Sequence, residues 1–311
     1  MSLTQIQHGC KINYSLRVGQ RLANGYHNIE SIFLPLANPF DRLAFRLSQK
    51  QGDIRVRMNP TGSSAKSIRN LSPDDNTIVR AYRLYADRTG FRPELDVLVD
   101  KSIPPGAGLG GGSANAAATL SYLQQQAAEA GVQPLSEREL HDAAGSLGAD
   151  IPFFLRNSAA HVTGIGDKIT PMENPAAGLF LLLVCPDIAV STAWAYAELD
   201  LLREKMSLSP SSGQKDCKNT PIECLTTEMH RANYSSPAGL LEHGNDFEAV
   251  VFVRYPDIAR LKRRLYDLGA ETAHLSGTGS SMFALFQDAA KALAAEKSLA
   301  NQGLQVYSQK M

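Results

Sequence analysis

No charge of either sign is in excess in this chain: 31 Lys and Arg residues meet 31 Asp and Glu residues. Net charge therefore gives no attraction for nucleic acid or an anionic membrane, and a polyanionic ligand has to be held by local groups. Long apolar runs are missing too. The longest, Gly178 to Cys185, falls far short of the ~20 residues a membrane span needs and reads as a buried strand. The start, MSLTQIQHGCKIN, has no basic segment leading into an apolar stretch, so no secretory signal is expected and a cytoplasmic location is. Cysteine is scarce: Cys10, Cys185, Cys217 and Cys224 form no CxxC pair and no disulfide lattice, which points to reduced thiols. The seven histidines are scattered, and no His, Cys and carboxylate cluster suggests a protein-only metal cage. Internal repeats and heptads are absent.

What is present reads as a globular chain of two domains. A length of 311 residues exceeds one ordinary core, and 43% apolar with 20% charged residues is globular composition. Strands are expected at Cys10–Val18, Asn28–Leu36, Asp41–Leu47 and Asp53–Met58, separated by Gly, Asn and Pro signals. Asp75 or Asn76 caps a helix with Ile78, Val79, Tyr82, Tyr85 and Ala86 on one face, ended by Gly90. Glu94–Val99 is a strand. A helix follows to about Ala130, then another over Glu137–Leu147. Further along, strands are expected at Leu179–Val184, Met282–Phe286 and Leu304–Ser308, with helices at Thr192–Glu204, Asp257–Leu268 and Ala289–Leu299. The domain boundary falls within 155–175, giving domains of 1–165 and 166–311. Lys205–Thr220, polar and rich in Ser, Gly and Lys, reads as a mobile surface loop.

The most informative stretch joins the Glu94–Val99 strand to the following helix. It reads Pro104-Pro105-Gly106-Ala107-Gly108-Leu109-Gly110-Gly111-Gly112-Ser113-Ala114-Asn115, with five glycines in seven residues. Missing Cβ atoms let a ligand approach the backbone and permit positive φ, so successive N–H groups can converge on one anion. The helix N-terminus that follows adds unpaired N–H groups and a favourable dipole. A flexible turn is the plain alternative, but the glycine density and the strand-to-helix placement favour phosphate. No Lys occurs in the loop, which excludes Walker A. Gly106, Gly108 and Gly111 match GxGxxG, yet the acidic strand end due about 20 positions on in a dinucleotide-binding fold is replaced by the helical LSYLQQQAAEAG.

On these residues the chain resembles the GHMP kinase superfamily, whose nucleotide loop has the form P-x-x-x-G-L-G-G-G-S-S. Cys10-Lys11-Ile12-Asn13, Gly25-Tyr26-His27 and Leu147-Gly148-Ala149-Asp150-Ile151-Pro152-Phe153 narrow the likeness. They resemble the 4-diphosphocytidyl-2-C-methyl-D-erythritol kinase family of the non-mevalonate isoprenoid pathway. Asp75–Val79, Asn245–Glu248 and Ser276–Ser281 add to it. The resemblance implies an α/β (α+β) two-domain fold, an S5-domain-2-like N-terminal part and a ferredoxin-like C-terminal α/β sandwich. It implies ATP with Mg2+, a small cytidine diphosphate alcohol as substrate, neither nucleic acid nor membrane as partner, and a monomer or weak homodimer.

Residue by residue, spacing alone leaves Asp150 open between a helix-terminal aspartate and a functional carboxylate, and Lys11 reads as solvent-facing. The family pattern makes Asp150 the catalytic base and pairs it with Lys11. It places Asn13, Tyr26, His27, Thr192 and Tyr196 around the cytosine, the two tyrosines stacking on it and the histidine bonding to it. Gly277, Thr278 and Gly279 fall in the superfamily's third motif. The residues Pro104, Pro105, Gly106, Ala107, Gly108, Leu109, Gly110, Gly111, Gly112, Ser113 and Ala114 form the ATP loop, with Lys101 near the nucleotide and Asn76 bordering the adenine. The chain departs from the pattern at Ala114, where a second serine is usual and only the N–H is left for phosphate, at Asn24, where Asp is usual, and in the Lys205–Thr220 loop. Other readings are another GHMP kinase acting on mevalonate, homoserine or a sugar, a nucleotide-binding sensor without transfer, and an NAD-dependent dehydrogenase.

Overall fold

The computed structural model describes residues 3–60, 75–208, 241–242 and 244–311. Two compact units make up the chain. The first holds residues 1–12, 34–105 and 109–173; the second holds 13–33, 106–108 and 174–311. A single cut at residue 165 therefore does not separate them. The cause lies in two long strands, β1 (Leu3–Arg21) and β2 (His27–Gln51), each of which serves both units.

A six-stranded sheet orders β3 (Ile54–Pro60), β4 (Pro93–Lys101), β2, β5 (Ala160–Thr163) and β6 (Lys168–Pro171), with β1 paired to β2. β2 and β4 run antiparallel, whereas β3 and β4 are parallel. Parallel neighbours need a crossover, and helix α1 (Thr77–Thr89) lies in it. Asn76 caps α1, its Oδ1 accepting from the Ile78 N–H at 2.9 Å, and Gly90 closes it in the left-handed region at φ 74°. The buried face of α1 is Ile78, Val79, Ala81, Tyr82, Tyr85 and Ala86, as the helical spacing required.

Helix α2 (Gly111–Glu129) starts directly after the glycine-rich loop. Ala114, Ala116, Ala117 and Ala118 are all buried, and Phe45 of β2 stacks on Tyr122 of α2 with centroids 4.3 Å apart. Helix α3 (Glu137–Leu147) opens with a capping box between Ser136 and Glu139. The short α4 (Ile151–Arg156) buries Ile151, Pro152, Phe153 and Phe154.

In the second unit, β7 (Phe180–Cys185), β8 (Thr272–Leu275), β9 (Met282–Phe286) and β10 (Gln305–Lys310) form an antiparallel sheet in the order β10-β7-β9-β8. Helices α5 (Thr192–Leu208), α6 (Glu248–Arg254), α7 (Pro256–Asp267) and α8 (Ala289–Ala300) supply the rest. With α7 and α8 as the two crossovers, this is the split βαβ arrangement of a ferredoxin-like sandwich. Its core joins Leu182 and Val184 of β7 to Ala195, Val251, Ile258, Leu265, Ala295 and Leu299 of the helices.

Three expectations change. Asn28–Leu36 and Asp41–Leu47 belong to one strand, because an extended backbone accommodates the fixed φ of Pro39. Lys205–Leu208 continue α5, since Lys, Met and Leu are good helix formers; residues 209–220 of the expected loop lie outside the described residues. The short elements α4, α6 and β8 were not anticipated. Replacing Phe45 with Ala should cost about 3–5 kcal/mol in a denaturant titration, because it opens a cavity against Tyr122 under α2. A loss below ~1 kcal/mol would show that the stack does not hold this helix.

Candidate active site

The loop between β4 and α2 has positive φ at every second residue: 69° at Gly106, 77° at Gly108 and 70° at Gly110. Such alternation turns successive N–H groups toward one side, the arrangement that cradles anions. No side chain caps α2, and its first internal bond is from the Ala114 N–H to the Gly110 carbonyl at 2.9 Å. The N–H groups of Gly111, Gly112 and Ser113 consequently have no partner among the described residues. Ala114 differs from expectation: its side chain is buried and its N–H is spent inside the helix.

Lys11 lies against this loop. Its N–H donates to the Leu109 carbonyl at 3.0 Å, and a Cβ on Gly110 would lie 3.3 Å from the Lys11 Cγ. The Lys11 ammonium is 3.5 Å from Oδ2 of Asp150, the lysine side chain only 5% exposed and the aspartate 31%. Asp150 occupies the N-cap position of α4 but makes no capping bond. The buried apolar turn of α4 fixes its backbone, and the half-exposed carboxylate stays available. These residues set a partly exposed carboxylate beside an ammonium, next to a glycine-rich loop.

Lys101 reaches the start of α2, where a Cβ on Gly111 would lie 2.9 Å from its Nζ. It is buried at the end of β4, and its ammonium bonds to the fully buried Asp41 of β2. Burial drives the lysine below its ordinary range, and the Asp41 charge and bond oppose the fall. Asp41 also accepts from the Ser102 N–H at 2.8 Å, the Ile103 N–H at 2.9 Å and Asn115 Nδ2 at 3.0 Å. One carboxylate thus ties the strand entering the loop to the helix leaving it. Asn76 spends its side-chain oxygen on its own helix, while the neighbouring Thr77 hydroxyl donates to the Gly112 carbonyl at 2.9 Å.

A second constellation lies in the second unit. The turn at Ser276–Ser281 packs on loop residues 106–108: the Ser281 N–H donates to the Ala107 carbonyl at 3.3 Å and the Ser276 hydroxyl to that of Gly108 at 3.1 Å. The Asn13 N–H donates to the same Ser276 hydroxyl at 3.3 Å, and Asn13 Nδ2 to the Ser31 hydroxyl at 2.9 Å. Buried Asn245 holds the turn through bonds from Nδ2 to the Leu275 and Gly277 carbonyls, both 2.8 Å. Glu248 accepts from the Leu275 N–H at 2.9 Å and from Lys262 at 2.6 Å. Burial pushes Glu248 upward, but the bonds and charges of His274 and Lys262 outweigh it and hold the carboxyl below its ordinary range.

On α5, Thr192 meets Thr278 with hydroxyls 3.2 Å apart. The Tyr196 ring stacks on His27 at 4.8 Å and meets Phe247 edge-on, also at 4.8 Å. His27 is buried and pairs with Asp200 at 2.8 Å. Tyr26 is 61% exposed. The structure thus joins Lys11, Asp150 and residues 109–113 of the loop in one group. It joins Asn13, Gly277 and residues 106–108 in a second, with His27–Tyr196 and Thr192–Thr278 as further contacts of that unit. Asp41, Asp200 and Ser276 were missed as individual participants. Asp41 was legible in one respect, since it shares a strand face with the core residues Leu43 and Phe45.

An anion cradle, a lysine–carboxylate pair and a small-residue turn on this split fold define a phosphotransferase of the GHMP class. The N-terminal domain profile of the GHMP kinases matches residues 76–158 and the C-terminal profile residues 225–304. A Solidesulfovibrio magneticus protein named 4-diphosphocytidyl-2-C-methyl-D-erythritol kinase is 42% identical over 298 residues, covering 96% of this chain and 93% of that protein. A crystal structure of 4-(cytidine 5'-diphospho)-2C-methyl-D-erythritol kinase superposes with a TM-score of 0.68 at 26% identity, covering 98% of each chain. Homoserine kinase from Cytophaga hutchinsonii shares the fold, with a TM-score of 0.66 at 18% identity over 99% of this chain and 94% of its own. The chain belongs to the 4-diphosphocytidyl-2-C-methyl-D-erythritol kinase family, and ATP is the phosphate donor of the GHMP kinases.

Two glycines separate packing from ligand approach. A Cβ on Gly108 would fall 2.0 Å from the Ser276 carbonyl oxygen, whereas one on Gly112 would meet nothing nearer than the Thr77 hydroxyl at 3.7 Å. Gly108→Ala should therefore lower the unfolding midpoint and turnover together. Gly112→Ala should stabilise the fold by up to ~1 kcal/mol, as Ala does over Gly in a helix, while raising KM for ATP. An unchanged KM in Gly112→Ala would mean that phosphate does not approach this backbone.

Proposed function

We propose that this chain transfers the γ-phosphoryl group of ATP to the 2-hydroxyl of 4-diphosphocytidyl-2-C-methyl-D-erythritol, releasing ADP and the 2-phosphate. The observation that carries the mechanism is the Lys11 ammonium 3.5 Å from the Asp150 carboxylate, with the Lys11 N–H on the glycine-rich loop. Phosphoryl transfer asks for alignment, charge neutralisation and an acceptor for the hydroxyl proton. In this reading the substrate oxygen bonds to the γ-phosphorus as the β,γ-bridging bond breaks, and Asp150 takes the proton. Lys11 orients the hydroxyl and balances charge. The bare N–H groups of Gly111, Gly112 and Ser113 hold the phosphates. Asn13, His27, Thr192, Tyr196 and Thr278 provide the wall for the cytidine end, with exposed Tyr26 as a further ring for the base.

Mg2+ accompanies the nucleotide in this reading. Among the described residues no group of three His, Cys, Asp or Glu side chains is placed to hold a metal. The open space beside Gly106 suits a hard cation carried on phosphate oxygens, and such an ion would neutralise charge on the transferred group. Among the described residues no helix is long and apolar enough to cross a membrane. We take the enzyme to be cytoplasmic, monomeric or weakly dimeric, and active on dissolved small molecules.

Asp150→Asn should lower kcat by roughly 10²–10⁴-fold while leaving the Kd for ATP within a small factor, as removal of a general base does. Turnover equal to that of the parent would dismiss Asp150 as the base. A panel of alcohols tests the acceptor, and phosphorylation of mevalonate but not of the cytidyl alcohol would overturn the substrate.

A further inference from the structure

The partly buried pair between His27 and Asp200 takes no part in the transfer just described, and the way it is built bears on which base is accepted. The His27 side chain is 5% exposed, and its Nε2 lies 2.8 Å from Oδ1 of Asp200. A carboxylate can only accept, so Nε2 must carry the hydrogen. That ring makes no other hydrogen bond among the described residues, and its face is occupied by the Tyr196 stack. In the neutral ring, Nδ1 is then left as a lone pair, an acceptor open to a donor from a ligand.

The frame around the pair is rigid. Thr192, Tyr196 and Asp200 follow one another at four-residue spacing on α5 and so share a face. Arg203, one turn on, donates to the Gly19 carbonyl at 3.0 Å, to the Val18 carbonyl at 2.6 Å and to Asp246 Oδ2 at 3.2 Å. Asp246 in turn accepts from the Val18 N–H at 2.8 Å. The helix is thereby pinned to the second half of β1, and Asp200 has little freedom to leave His27.

Resting on the cytidyl reading above, we infer that Asp200 is a specificity-determining positioning residue: it fixes the His27 tautomer so that Nδ1 accepts from the exocyclic amine of cytosine. Cytosine presents an N4 donor at the place where uracil presents an O4 acceptor. A fixed lone pair on Nδ1 attracts the first and repels the second. With the tautomer free, the imidazole can present a donor instead, and the distinction fades. A carboxylate that holds a histidine tautomer in a catalytic triad acts by the same physics, and its amide variant stabilises the wrong tautomer.

The test compares kcat/KM for the cytidine diphosphate alcohol and its uridine counterpart in the parent and in Asp200→Asn. The parent should favour cytidine, and the variant should lose roughly tenfold or more of that preference, with the loss falling mainly on KM for the cytidine substrate. In parallel, nitrogen NMR of histidine-labelled protein, assigned with His27→Gln, should show the Nε2–H form in the parent and a mixture in Asp200→Asn. A cytidine preference unchanged in the variant, or a hydrogen on Nδ1 in the neutral parent ring, overturns the inference. Failure of the parent to turn over either substrate would overturn the kinase reading instead, with the NMR result still deciding the tautomer.

Discussion

A carboxylate wholly removed from water at position 41 ties together the ends of the glycine-rich loop. Burying such a charge is expensive unless donors replace its hydration. Asp41 meets four: the Lys101 ammonium, two backbone N–H groups at Ser102 and Ile103, and the Asn115 amide. Three belong to the chain entering the loop and one to the helix leaving it. The desolvation cost is offset only when both ends stand at their observed separation. The loop between them has few side chains with which to hold its own shape, so its ends must be fixed from beneath. Lys101, which the family resemblance sets near the nucleotide, reaches Gly111 of the loop and bonds to this carboxylate as well.

The glycines serve two different constraints. At Gly108 the demand comes from packing, because the Ser276 carbonyl occupies the place of a side chain. At Gly112 space is nearly open and φ is not positive, so the absence of a Cβ serves whatever lies outside, whereas at Gly106 the positive φ itself favours glycine. Residues 106–108 belong to the second unit while their neighbours on both sides belong to the first. One short loop thus answers to two cores, and its middle is set by a turn more than 160 residues away in sequence.

Legibility in the sequence followed the range of the interaction. Local signals read well: the Asn76 cap, the amphipathic α1, the glycine-rich loop and the apolar β7 and β9 lie where their residues put them. Signals that depend on distant partners did not. Pro39 looked like a break because its pairing is invisible locally, and α4 is six residues whose burial against α2 and α3 replaces intrinsic propensity. Lys11, an apparent surface residue by position, became a site residue through family resemblance, and its ion pair crosses 139 positions of chain between residues 11 and 150. Asp41 carried a faint sign, a charge on the core face of a strand. Asp200 carried another, a carboxylate in helical register with Thr192 and Tyr196. Neither sign identifies its partner, because Lys101 and His27 are brought in by tertiary folding.

The pocket proposed for the base is organised unevenly, and the unevenness has a physical reading. His27 and Tyr196 are already stacked, with Phe247 bracing the second ring and Asp200 bracing the first. Their order is established before any ligand arrives, so a base arriving there loses little affinity to arranging them. Tyr26, which precedes His27, is largely in solvent, and in the open turn before it the Asn24 side chain accepts from the Tyr26 N–H at 3.1 Å. A base engaging Tyr26 must order that ring and cover its apolar area, gaining burial while losing side-chain freedom. Stacking on Tyr26 is indifferent to the pattern of donors and acceptors at the base edge, whereas the braced imidazole is not. In the proposed pocket affinity and discrimination are therefore separable, the first drawn from an exposed ring and the second from a braced one.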